Sequence, residues 1–210
     1  MPTTLATYRT RVSELLDDTT NARYTTAQID TALRTALIDY STYRPIKRTY
    51  QLDTTGDKVI ALPADFTAMQ ITRVQLWNTD PDDMIDLDYV VRQVDEAWTI
   101  EITGTMGGSI IYTSGNILTI TYTARQQIDS LDSAAGTTID DDNLLAIGAA
   151  AYAALSRAVS RAESINMQPG LQKQLIDLST RYFSQFYSRL PIHNSTSAAP
   201  FTNFPEHPTH

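Results

Sequence analysis

The hydrophobic period of this chain switches twice. From Thr4 to Pro45 apolar residues recur at steps of three and four, from Lys47 to Thr123 they alternate in steps of two, and from Asp142 to Leu190 the helical spacing returns. Each terminal pair of helices has apolar faces that a hairpin partner alone covers poorly. Residues 4–42 and 142–190 are therefore expected to close into one bundle, although a β-region separates them in sequence. The expected fold class is α+β: a bundle of two N-terminal and two C-terminal helices, an inserted antiparallel β-domain and an extended C-terminal arm. The boundaries read as 1–45 for the N-terminal helical hairpin, 46–125 for the β-domain, 126–190 for a linker and the C-terminal hairpin, and 191–210 for the arm.

The second helix is the most explicit. Thr25 and Gln28 form a capping box, in which each side chain satisfies a backbone N–H that the first turn leaves without a partner. Ile29, Leu33, Ala36, Leu37 and Tyr40 then share one face, and Pro45 disfavours helical geometry at Arg44. The first helix runs from near Thr4 to Asp17 on Leu5, Tyr8, Val12, Leu15 and Leu16. The β-region reads as the runs "RTYQL", "KVIAL", "QITRVQLW", "IDLDYVV", "WTIEI", "SIIYT" and "ILTITYT", punctuated by "TTGD", "NTDPDD", "GTMGG" and "TSGN". Closely spaced runs of this kind suit an antiparallel sheet, a sandwich or a small barrel.

After the polar linker "ARQQIDSLDSAAGTT", Asp140, Asp141 and Asp142 precede a third helix, where carboxylates favour the positive end of the helix dipole. Its stripe is Leu144, Gly148, Ala151, Tyr152, Leu155 and Val159. "NMQPG" breaks the chain before a fourth helix with two stripes. One holds Leu171, Leu175, Leu178, Tyr182 and Phe186; the other holds Ile176, Phe183, Tyr187 and Leu190. So wide an apolar surface suits either a helix sunk between other elements or one that also meets a neighbouring subunit, and Ile176, Phe183, Tyr187 and Leu190 are the subunit-interface candidates. The last twenty residues, with few charges, lack a core of their own; Pro200, Phe201, Phe204 and Pro205 are the candidate anchors of an arm docked on a partner.

Charge narrows the function classes. The formal net charge is −8, and residues 46–125 set eleven acidic against six basic side chains, while 171–190 is the one basic stretch. No cluster of Lys and Arg is present to displace phosphate counterions, so tight nucleic-acid binding is not expected. Cysteine is absent, which removes disulfides and thiolate metal sites. The longest apolar run, "LLAIGAAAYAAL", falls short of the ~20 residues that span a bilayer, and the start lacks the blocks of a signal peptide, so a soluble chain without membrane binding is expected.

Catalytic signatures are equally scarce. His193, His207 and His210 all stand in the arm, away from any histidine triad or metal site in the body. "GTMGG" reads as a hairpin turn, "DPDD" as a turn and "IDDDN" as a helix start in preference to cation sites. No enzyme, cofactor or metal is expected.

"LLDDTTNARYTTAQIDTALRTALIDYSTYRP" combines a Leu-Asp turn, an aromatic, a capping box, an Ala/Leu helix and a Tyr-Pro end. This pattern, over about residues 12–45, resembles the head-to-tail adaptor (connector or neck) proteins of tailed bacteriophages; the helix-insert-helix order extends it loosely. The resemblance implies a structural virion protein made in the bacterial host cytoplasm. It would form a homo-oligomeric ring, commonly of twelve copies, between the portal protein and a tail or nozzle protein. DNA would cross the channel without specific binding, and an acidic lining would leave it free to slide. The alternative is a β-rich binding module, carbohydrate-binding or tail-fibre accessory, mounted on a helical support, with Trp77, Trp98, Tyr89 and Tyr112 available for stacking.

Overall fold

A computed structural model describes residues 3–54, 57–62, 68, 70–77, 84–94, 97–105, 116–132, 136–162 and 169–190. The helices are α1 (Leu5–Leu15), α2 (Thr26–Tyr43), α3 (Asp142–Ala162) and α4 (Pro169–Arg189); between α2 and α3 lie β1 (Ile46–Asp53), β2 (Val59–Ala61), β3 (Gln70–Trp77), β4 (Met84–Val94), β5 (Ala97–Thr105) and β6 (Ile117–Ala124). The helix starts follow from side-chain chemistry. Thr4 accepts from the Thr7 N–H at α1, and Thr25 and Gln28 make both bonds of the capping box at α2. Asp141 accepts from the Leu144 N–H at α3, and α4 opens on Pro169, whose missing N–H costs nothing in a first turn.

One apolar cluster contains residues from all four helices, so the ends of the chain do close into a single bundle. Helix α3 is its axis, with α1, α2 and α4 each in contact with it. The small residues of α3 permit this: Ala146, Ala149, Ala150, Ala151, Ala153 and Ala154 are all buried. At Gly148 a Cβ would lie 2.7 Å from the Phe186 ring, so the α3–α4 approach depends on the missing methyl. The expected stripe of α3 is buried through Ala151 and half-buried at Tyr152, but Leu155 and Val159 face outward. The linker is less polar in place than in sequence. Ile128 and Leu131 are 1% and 2% exposed within the bundle core, and the buried Gln126 donates from its backbone to Ser41 Oγ and from its amide to the Arg44 carbonyl. This segment is a strap across the helices.

The strands form one antiparallel sheet in the order β1-β6-β3-β4-β5-β2. Leu118 and Ile120 of β6 and Ile100 of β5 are fully buried within a separate cluster, yet the described helices barely touch the strands. Ile46 and Ala124 are paired across β1 and β6, so the insert leaves and re-enters the bundle at neighbouring points. The expected run "SIIYT" lies outside the described residues, as do the arm and its candidate anchors Pro200, Phe201, Phe204 and Pro205. Among the described residues no helix is long and apolar enough to cross a membrane.

The Leu-Asp turn between α1 and α2 is organised by Asp18. Its side chain is 3% exposed and accepts from the backbone N–H groups of Ala22, Arg23 and Tyr24 at 2.7–3.0 Å. Burial alone would raise its pKa, but these three donors and the Arg23 charge outweigh that effect and hold it below the ordinary carboxylate value. A depressed folded pKa adds stability above the unfolded value near ~4 and loses it as pH falls through the folded one. Asp18→Asn is thus expected to be less stable than the parent at pH 7, with a flatter loss between pH 5 and 2. Parallel stability curves from denaturant titrations at stepped pH would contradict this role.

Candidate assembly surface

The three aspartates at the start of α3 are each held by a different partner helix. Asp140 accepts from the Tyr40 hydroxyl and stands 3.7 Å from Arg44, both at the end of α2. Asp141 caps α3 and meets Arg189 of α4 at 3.2 Å. Asp142 accepts from Thr3 and Tyr8 and stands 3.4 Å from Arg11, which ties α3 to α1. No cation is needed to hold them apart, because arginines supply the positive charge. Among the described residues no group of acidic or histidine side chains is placed to hold a metal; "DPDD" and the histidines lie outside those residues.

These contacts set the chemistry of the tyrosines. Burial, then the adjacent Asp142, pushes the Tyr8 hydroxyl well above the ordinary phenol range, and burial with Asp140 does the same for Tyr40. A third centre lies on the α2–α4 side, where Asp39 accepts from both Tyr152 and Tyr187. Burial and then Asp39 raise the Tyr152 pKa, so this phenol stays protonated and donates to the carboxylate. Tyr187 stacks on Phe183 at 5.8 Å, and Phe183 meets Tyr152 edge-on at 4.8 Å.

The subunit-interface candidates divide accordingly. Ile176 and Tyr187 are 42% and 39% exposed, and Phe183 is half-buried among these aromatics. Leu190 is a correction: it is fully buried in the chain's own core, where its carbonyl and that of Arg189 accept from the Arg44 guanidinium. The α3–α4 register, fixed by Gly148 against Phe186 and by Ser179 donating to the Ala151 carbonyl, brings Leu155 and Val159 alongside the stretch that carries Ile176. Neither residue of α3 stood out in sequence as surface, because both continue its apolar stripe.

Two grooves flank the bundle. One, of about 510 Å³, is lined by Arg11, Glu14, Leu15, Asn143, Ala146, Ile147 and Arg189, and its arginines already face Asp142 and Asp141. The other, of about 340 Å³, is lined by apolar residues that include Leu171, Leu175 and Leu178 and by the charged Asp17, Arg23, Arg157 and Arg181. Its charge is less balanced. Arg157 donates to the Arg23 carbonyl and stacks on Tyr24, Arg181 lies by the Tyr182 ring, and neither has a carboxylate within ion-pair distance among the described residues.

In the sheet, Tyr89 and Trp98 pack partly buried against the β-core, and the Tyr89 hydroxyl donates to the Ile71 carbonyl at 3.2 Å. Trp77 is half-buried and Tyr112 lies outside the described residues. An exposed stacking platform for sugars is not assembled among the described members of this set. Compared with models of known protein families and with curated proteins, the chain matches none.

The Asp142 contacts yield a direct test. Asp142→Ala would leave the buried Tyr8 hydroxyl without its acceptor and Arg11 without its countercharge, at an expected cost of about 2–3 kcal/mol. A double-mutant cycle with Tyr8→Phe should return a coupling on the order of 1 kcal/mol, measured by chemical unfolding. Additive losses would show that the two side chains do not act together.

Proposed function

We propose that this chain is a structural protein of the tailed-bacteriophage virion, a ring-forming adaptor between the portal and the tail. The observation that carries the proposal is the outward apolar band of α3 and α4, with Leu155, Val159 and Ile176 at 38%, 55% and 42% exposure on a bundle whose core is already complete. Side chains of this kind, repeated on two long helices, favour burial against another copy. The bundle with its inserted β-domain also agrees with the architecture that the resemblance over residues 12–45 implies.

Electrostatics fit the same reading. A chain of net charge −8 repels phosphate, which suits a channel wall that DNA passes without being gripped. The tyrosine–aspartate pairs hold helices in register, and the reading assigns the protein no catalytic step or cofactor. The arm, Pro191 to His210, would serve as a docking segment on the portal or the neighbouring subunit, with Phe201 and Phe204 as anchors beside Pro200 and Pro205. Proline limits the conformational entropy lost when such a segment docks.

Mass measurement and electron microscopy of the purified protein, alone and with its portal, test the proposal. A closed ring, commonly of twelve copies, is expected in one of the two conditions, together with no retention of duplex DNA at physiological salt. A monomer in both, or sub-micromolar DNA binding that falls steeply with salt, would overturn it.

A further inference from the structure

The α3–α4 hairpin carries an uncharged face that ends in aromatic rings. Tyr152, Leu155, Ser156 and Val159 share one side of α3, and Ile176, Thr180, Phe183 and Tyr187 share one side of α4, so neither stripe holds a charged residue. Asp39 of α2, which borders them, is taken up by the hydroxyls of Tyr152 and Tyr187. With those hydroxyls tied, the rings are fixed in place. Tyr187 stacks on Phe183 and meets Tyr43 edge-on at 6.4 Å, while Tyr43 and Tyr187 each keep 39% of their surface open. Aromatic rings held ready in this way are what proline-containing segments dock against in polyproline II form.

Such a segment begins where this face ends. Leu190, the last described residue, follows Tyr187 by three positions, and its carbonyl accepts from Arg44, which directly follows Tyr43. Twenty residues come after it, with one glutamate and neither lysine nor arginine, and they include Pro205, Glu206, His207 and Pro208 in succession. At the three residues per turn of polyproline II, Phe201 and Phe204 fall on one edge, Pro205 and Pro208 on a second, and Asn203 and Glu206 on the third. Two edges are thus apolar and the charge lies away from them. Residues 191–199 can span up to about 28 Å in this form, against roughly 16 Å along α4 from Tyr187 back to Ile176. We infer that in the unassembled chain the arm turns back and seats Phe201 to Pro208 on the aromatic face of its own bundle, against Tyr43, Phe183 and Tyr187. The tether favours the chain's own face, because it holds the arm at an effective concentration on the order of millimolar. A seated arm withholds itself and the neighbouring apolar band until the portal or another copy competes for them. The seat stands apart from the ring reading, whereas this hold on assembly rests on it.

The absence of cysteine allows a clean test. One full-length variant combines Thr202→Cys with Thr180→Cys on the face; a second combines it with Gln185→Cys, which is exposed on the far side of α4 and nearer the origin of the arm. On oxidation in dilute solution the first pair should close an intramolecular disulfide severalfold faster than the second, at a rate independent of protein concentration. Adding Pro205→Ser and Pro208→Ser should abolish the difference. Equal rates with the prolines intact would overturn the seat, and rings formed by such chains would leave the ring reading standing. A disulfide that forms between chains, with a yield that rises with concentration, would put the arm on a second copy and overturn the own-chain seat. Fast linkage in a chain that forms no ring even with its portal would uphold the seat and overturn the ring reading. In chains without introduced cysteines, the two proline substitutions should lower the concentration at which copies associate; an unchanged concentration would overturn the hold on assembly.

Discussion

Three successive carboxylates hold the helices of this protein in register. Asp140, Asp141 and Asp142 diverge at the start of α3 and engage α2, α4 and α1 in turn. Adjacent like charges repel, so the arrangement holds only because Arg44, Arg189 and Arg11 stand within 3.2–3.7 Å of their respective partners. All three aspartates retain some solvent exposure, from 26% to 51% of their side chains, which reduces both the desolvation cost and the Coulombic gain. Most of the stabilisation comes from the apolar cluster, where each fully buried side chain such as Leu33 or Phe186 contributes roughly 1.5–3 kcal/mol. The carboxylates add directed contacts from the start of α3 to each of the other three helices.

Tyrosine is the partner that makes this possible. Tyr8 and Tyr40 are fully buried rings whose hydroxyls reach Asp142 and Asp140, so one side chain supplies apolar area and a directed hydrogen bond together. Tyr152 and Tyr187 repeat the device on Asp39. A bundle fixed this way tolerates a long insertion, because among the described residues neither its apolar cluster nor its tyrosine–aspartate bonds use residues of the strands. The insertion also starts and ends at one place, with Ile46 opposite Ala124. An adaptor ring would draw on that division of labour, with the bundle as frame and the β-domain as a separate contact surface.

Local features of this fold were legible in sequence and distant ones were not. The Thr25–Gln28 box, the Pro45 stop and the runs that become the described strands are written within a few residues of where they act, and they stand as read. The aspartate run was legible as a helix start, but the side chains that bind it come from positions 3–44 and 189, which no spacing rule connects to it. Ile128 and Leu131 fall in a segment without period, so their burial could not be read. Leu190 belongs to an apolar stripe that periodicity cannot divide into core and surface; its full burial in the helical cluster shows that it turns inward. Leu155 and Val159 fail in the opposite sense, since they continue the stripe in sequence yet are exposed in the structure.

The central claim is that the two ends of the chain make one autonomous bundle, tied at the start of α3, on which the β-domain is mounted. The most direct measurement replaces residues 47–123 with a short glycine-serine linker, which the Ile46–Ala124 pairing permits, and follows helical circular dichroism during thermal unfolding. The account predicts a single cooperative helical transition close to that of the full chain. Loss of helical signal, or a broad non-cooperative transition, would show that the β-domain is part of what holds the helices together and would contradict it.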